Sequence, residues 1–253
     1  MDFSLLESGF VGTRHGKLHY MKGTASSKGA LQLVLLHGLG ADSRSWKRFI
    51  EAIQDNFDIL ALDLLGHGDS DAPQLNYNIG VQAECLYDAL AGIGSKDYML
   101  VGHSYGGWIA AYYCTVMQDA KAMPKKLVLE DAAGLKEQFD EVLANGSIGH
   151  FYETELNSVM KMNNNKEFVM KSTIYGEVKE HFLTKESLLK LDVPTLIIWG
   201  GKDRIIDARI GKLFQERIRN SELAIVDAGH VPHVAKPGDV ANLIEKFALE
   251  VHA

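Results

Sequence analysis

The 253-residue sequence predicts an α/β domain built on a mostly parallel eight-stranded sheet flanked by helices. Three observations carry this expectation. Short apolar runs alternate with segments of helical periodicity along most of the chain. The opening reads instead as an antiparallel hairpin. Residues 135–191 hold helical patterns and loops but no convincing strand, and read as a small helical cap inserted after the sixth strand, leaving 1–134 and 192–253 as the core domain.

In order, Phe3–Val11 and Lys17–Met21 flank Gly12–Gly16 as the hairpin, placed at the sheet edge. Leu31–Leu36, Phe57–Leu62, Tyr98–Val101, Lys126–Leu129, Thr195–Trp199 and Leu223–Val226 follow as short apolar strands of a sheet covered on both faces. Trp46, Phe49, Ile50 and Ile53 recur at helical spacing, as do Val81, Cys85, Leu86, Ala89 and Leu90. The final helix carries Val240, Leu243, Ile244, Phe247 and Val251 after a Pro237-Gly238-Asp239 start signal. Within the cap, Phe139, Phe151, Tyr152, Met160, Met162, Phe168, Met170, Ile174, Tyr175 and Phe182 exceed what a solvated excursion needs. They either roof a pocket or pack the cap onto the body. Asn163-Asn164-Asn165 reads as a turn between cap helices.

Composition narrows the function classes. With 46% hydrophobic and 23% charged residues, the chain can bury a sizeable core. A net charge of -7 without a basic run argues against nucleic acid as a partner. The sequence shows neither a signal-peptide pattern nor an apolar stretch of membrane-span length, so the expectation is a cytoplasmic protein with no membrane association. Cys85 and Cys114 lie on helical patterns and read as reduced packing residues. Nothing in the sequence indicates an oligomeric state.

The strand ending at Val101 runs into Gly102-His103-Ser104-Tyr105-Gly106-Gly107, with a helical segment following. This is G-x-S-x-G between strand and helix, where a tight turn exposes a serine hydroxyl and the helix start offers free N–H groups. Ser104 is the candidate nucleophile. His37-Gly38-Leu39-Gly40 ends the third strand, and its Leu39 N–H can join the Tyr105 N–H in an oxyanion hole. His37 itself reads as an anchor of its loop. His230 lies between the eighth strand and the last helix and is the candidate base, with His233 in reserve. Asp203, after the seventh strand, is the candidate acid and completes the chain order Ser, Asp, His. Asp131, after the sixth strand, and Asp207 are its rivals.

On these residues the sequence resembles the α/β-hydrolase superfamily, particularly small carboxylesterases, lipase-like enzymes and C–C bond hydrolases. HGLG resembles the family's oxyanion loop, GHSYGG its nucleophile elbow, GGKD its acid loop and GHVPH its histidine loop. Asp63-Leu64-Leu65-Gly66-His67-Gly68-Asp69-Ser70 looks like its D-x-x-G-x-G-x-S loop, read as scaffold and pocket wall. Ala235 stands where members often carry a Glu five residues after the histidine. Dehalogenases and epoxide hydrolases of this fold use an Asp nucleophile, against which Ser104 argues.

The expected activity is hydrolysis of a small-molecule carboxylic ester of short to medium acyl chain through an acyl-enzyme. That chemistry calls for neither cofactor nor metal, and His230-x-x-His233 lacks the further ligands of a zinc site. Alternatives are C–C bond hydrolysis of a ring-cleavage product, which usually wants an Arg the cap lacks, thioesterase activity, or a hydrolase-fold ligand receptor without turnover.

Overall fold

Tyr98–His103 is buried along its whole length and forms the middle of the sheet. The computed structural model describes residues 1–26, 29–53, 56–116, 123–138, 161, 163, 166–175 and 181–250. Eight strands, β1 (Glu7–Thr13), β2 (Gly16–Gly23), β3 (Gln32–Leu36), β4 (Asp58–Leu62), β5 (Tyr98–His103), β6 (Lys126–Glu130), β7 (Thr195–Gly200) and β8 (Ser221–Val226), lie in the order β1-β2-β4-β3-β5-β6-β7-β8. Strand β2 pairs antiparallel with β1 and β4, and all other pairings are parallel. Parallel order places the carboxyl ends of β3, β5, β6, β7 and β8 along one edge, where the loops that follow can meet.

The described helices are α1 (Lys47–Ala52), α2 (Ile79–Ile93), α3 (Tyr105–Val116), α4 (Glu167–Tyr175), α5 (Lys185–Leu188), α6 (Arg209–Arg217), α7 (Pro232–Ala235) and α8 (Pro237–Leu249). One sheet face is covered by α2, α3 and α6. The other buries Phe49 and Ile50 of α1 with Trp46 and Ile53 flanking it, against Val240, Ile244 and Phe247 of α8. Asn78 caps α2 by accepting the Val81 N–H, and Gly94 ends it in left-handed backbone at φ 81°. Cys85 and Cys114 are both buried free thiols, as their helical positions suggest. No helix among the described residues is long and apolar enough to cross a membrane.

The structure corrects the strand reading at both ends. Phe3–Leu5 is a 3-10 turn, because Asp2 accepts the Ser4 N–H at 2.9 Å and caps it. The hairpin itself begins at Glu7 and turns tightly through Arg14-His15. Strand β8 is not buried on both faces: it is an edge strand, and Ile225 is 53% exposed.

In segment 135–191, Leu183 N–H donates to the Gly134 carbonyl at 2.8 Å and Leu135 bridges Leu183, so the start of the segment is joined to its later part. Val169, Met170 and Ile174 are buried against Leu65, Tyr77 and Cys85 of the body, and Leu183 and Leu188 join the α2–α3 core. For these described residues, packing onto the body accounts for their apolar character. Phe168 remains 44% exposed. Phe139, Phe151, Tyr152, Met160, Met162, Asn164, Asn165 and Val251, and the side chain of Tyr175, lie outside the described residues.

Candidate active site

Ser104 occupies the single residue between β5 and α3, in left-handed backbone at φ 52°. A non-glycine residue there costs about 1–3 kcal/mol and persists because its surroundings hold it. Here the Ser104 N–H donates to the Glu130 carbonyl at 2.9 Å, and its own carbonyl accepts the N–H groups of Trp108 and Ala133, each at 3.0 Å. Gly102 and Gly106 permit the turn. A Cβ on Gly102 would lie 2.7 Å from the Gly107 Cα, and one on Gly106 would lie 2.6 Å from the His37 carbonyl.

His230 joins this turn from the loop after β8. Its Nε2 is 3.0 Å from Ser104 Oγ, and its Nδ1 is 2.7 Å from Asp203 Oδ2. Asp203 comes from the loop after β7, where its Oδ1 accepts the N–H groups of Ile205 and Ile206 at 2.7 and 3.0 Å. Burial acts to raise the Asp203 carboxyl, but His230 and those two N–H groups outweigh it and hold the group below the usual carboxylate range. With an anion on Nδ1, the imidazole carries its hydrogen there and leaves Nε2 free to accept from the serine.

The HGLG turn lies beside Ser104: a Cβ on Gly38 would sit 2.8 Å from His103 Nδ1 and 3.5 Å from Ser104 Cβ. Among the described residues, neither the Leu39 nor the Tyr105 N–H carries a backbone hydrogen bond outside regular elements, and Tyr105 opens α3. His37 is fully buried, faces the Gly38 carbonyl through Nδ1 and accepts the Leu64 N–H at Nε2, tying this turn to the loop after β4. In that loop Asp63 accepts from Ser43, Asp69 and His19, the work of a scaffold.

Among the described residues, none of the other sequence candidates hydrogen-bonds Ser104 Oγ. His233 is bonded to Glu130, whose carboxylate accepts its N–H and faces its Nδ1, both at 2.7 Å, and its ring stacks on Trp46 at 4.0 Å. Asp207 is spent on the Arg209 N–H and guanidinium. Asp131 is buried next to Asp203, with Oδ1 accepting the Gly200 N–H at 2.9 Å.

Two residues were not singled out in the sequence. Burial holds His103 far below its ordinary pKa, with His233 and His230 adding to the effect, so its neutral ring donates Nε2–H to the His230 carbonyl at 2.7 Å. Glu130 holds the histidine loop through His233. A carboxylate closing a strand whose middle, residues 127–129, is apolar was its signal in the sequence.

Two groups of described residues bring three possible metal-ligand atoms within 4.8 Å: His19, Asp63 and Asp69, and Asp131, Asp203 and His230. In the first, both His19 nitrogens and both Asp63 oxygens are already hydrogen-bonded within the protein. The second contains Asp203 and His230, which are bonded to each other and, through His230, to Ser104.

A model of the Alpha/beta hydrolase family matches residues 33–243. The chain is 26% identical to the uncharacterized hydrolase YugF of Bacillus subtilis over 87% of its own length and 90% of that protein. It is also 26% identical to Lipase 3 of Moraxella sp., over 85% and 76% respectively. Among solved structures, a bacterial membrane phospholipase A superposes with a TM-score of 0.78 at 27% identity, covering 96% of this chain and 86% of that one. The eight-stranded sheet, the order of its strands and the span of the family match lead to one assignment: the chain belongs to the alpha/beta hydrolase family.

Proposed function

We propose that the protein is a serine hydrolase that cleaves carboxylic esters of short to medium acyl chain, with Ser104 as nucleophile, His230 as general base and Asp203 as its acid partner. The observation that carries this reading is the continuous contact of His230 with Ser104 Oγ at 3.0 Å and Asp203 at 2.7 Å. The lipase and phospholipase names of two similar proteins point the same way.

In this reading the ester carbonyl lies against the Ser104 hydroxyl. Oγ attacks the carbonyl carbon as His230 Nε2 takes its proton, and Asp203 stabilises the resulting imidazolium. The N–H groups of Leu39 and Tyr105, at the positive end of α3, bind the developing oxyanion, each worth about 10²–10³ in rate. His230 then protonates the leaving alkoxide, and water attacks the acyl-enzyme by the same route in reverse. Residues 135–191 act as a cap over the acyl group. Trp108, which donates to the His181 carbonyl at 2.9 Å and stacks on Phe182 at 5.7 Å, joins that segment to the helix carrying the nucleophile turn.

The test is fluorophosphonate labelling of the native protein and Ser104→Ala, followed by hydrolysis of p-nitrophenyl esters. Labelling and turnover should both vanish in the variant, with a rate loss on the order of 10³–10⁶ and an unchanged far-UV spectrum. A variant that kept a tenth of native turnover would exclude Ser104 as nucleophile.

A further inference from the structure

Two aspartates are packed at this corner of the sheet, and they are supplied with donors very differently. Asp203 accepts three hydrogen bonds, from Ile205, Ile206 and His230. Asp131, fully buried and in left-handed backbone at φ 42°, accepts one, from Gly200. Its Oδ2 is buried with no hydrogen-bond donor among the described residues. Yet Asp131, Asp203 and His230 each place a polar atom within 4.8 Å of the other two. Two ionised carboxylates this close, away from water, repel strongly, and the proton settles on the one with fewer donors.

Building on the triad reading, we infer that Asp131 is a positioning residue that stays a neutral carboxylic acid, its Oδ2 carrying the proton and its Oδ1 pinning the turn that presents Asp203. That turn is short: Gly200 N–H is held by Asp131, and Asp203 N–H donates back to the Gly200 carbonyl at 3.1 Å. The two aspartates then share one negative charge, located on the carboxylate that orients His230. Burial first, then the Glu130 charge, push the Asp131 carboxyl up to about 10, with Asp203 adding to the rise and the Gly200 N–H opposing it. The ionisable groups facing Asp131 are Glu130 of β6, backed by His233 of α7, Asp203 of the β7 loop, and His230 of the β8 loop.

A neutral acid has a close substitute in asparagine, whose carbonyl oxygen can accept from Gly200 and whose uncharged NH2 group stands where the acid has O–H. Alanine offers neither. We therefore expect Asp131→Ala to lose about tenfold or more in kcat with little change in KM, because the acid turn loosens while the substrate surface is untouched. Asp131→Asn should restore kcat to within about threefold of native and leave the acidic limb of the kcat/KM profile in place. The native protein at neutral pH should also show the infrared carbonyl stretch of a protonated carboxyl, missing from Asp131→Asn. A shift of that acidic limb by about one pH unit in Asp131→Asn would mean a charged Asp131 and overturn the inference. So would an Asp131→Ala enzyme as active as native, or absence of the infrared band, which needs no variant to be active. Asp203→Asn separates the two readings: if it stays active while Asp131→Asn collapses, Asp131 is the acid itself and both assignments fall. If Ser104→Ala and Asp203→Asn both stay active, the triad falls alone, and the band alone decides the state of Asp131.

Discussion

Ser104 and Glu130 are joined through the backbone, the Ser104 N–H donating to the Glu130 carbonyl at 2.9 Å, while the Glu130 side chain reaches across to His233. One residue therefore holds both the Ser104 turn and the loop that carries His230. Glu130→Ala would leave the His233 N–H and Nδ1 buried without their acceptor. The expected cost is about 2–5 kcal/mol, read as a lower urea midpoint with an unchanged slope. Turnover per folded molecule should fall as well, because His230 lies three residues before His233. A midpoint equal to native would show that the pair does not hold the loop.

Asp203→Asn should lower kcat for ester hydrolysis by at least about a thousand-fold. The amide cannot stabilise the imidazolium and favours the wrong tautomer at Nδ1. Binding of a non-hydrolysable analogue should change little, which separates a catalytic loss from a collapsed pocket. Retention of more than about a tenth of native kcat would remove Asp203 from the acid role.

Much of the fold was legible because burial on both sheet faces leaves a local mark. Leu33–Leu36, Ile59–Leu62 and Leu127–Leu129 are apolar runs that nothing but a covered strand explains, and their strands form as expected. Ser104 stood out for a similar reason, since its turn needs glycines at fixed offsets. What was not legible is held by long-range partners. Glu130 with His233 and His103 with the His230 carbonyl join residues 103 and 127 positions apart, and neither pairing leaves any periodicity in the chain. Phe3–Leu5 was misread for a local reason, because one Asp2 cap overrides the strand preference of a short apolar stretch.

The raised Asp131 carboxyl makes stability depend on pH. In the unfolded chain this group ionises near the ordinary aspartate value of about 3.9, whereas in the folded protein it holds its proton up to about 10. Between those limits the folded state binds the extra proton, so this contribution to stability is complete below about pH 4 and is lost progressively as pH rises towards 10. Asp131→Asn removes the loss. Its unfolding free energy should match native near pH 4 and exceed it increasingly at pH 7 and 9, by no more than about 1.4 kcal/mol per pH unit. Parallel curves for the two proteins would contradict this.

Selectivity should follow the size of the acyl group. Each buried methylene adds roughly 0.8 kcal/mol until a wall is met, so kcat/KM should rise and then fall along a series of p-nitrophenyl esters, with the optimum at about two to eight carbons. A profile still rising into emulsified long-chain lipids would point to an open groove instead of a capped pocket.

The parallel ladder from β5 to β8 has a consequence for how the chain acquires its chemistry. Ser104 and His230 are 126 residues apart, and they meet only after β6, β7 and β8 have each closed a crossover onto the sheet. Helices and the β1–β2 hairpin can form from near neighbours long before that. In a nascent or partly refolded chain Ser104 therefore lacks His230 beside it, and under the proposed function such a chain should be inactive. On the proposed triad, turnover begins only once the loop after β8 has brought His230 to Ser104, so activity reports the assembly of β5 to β8.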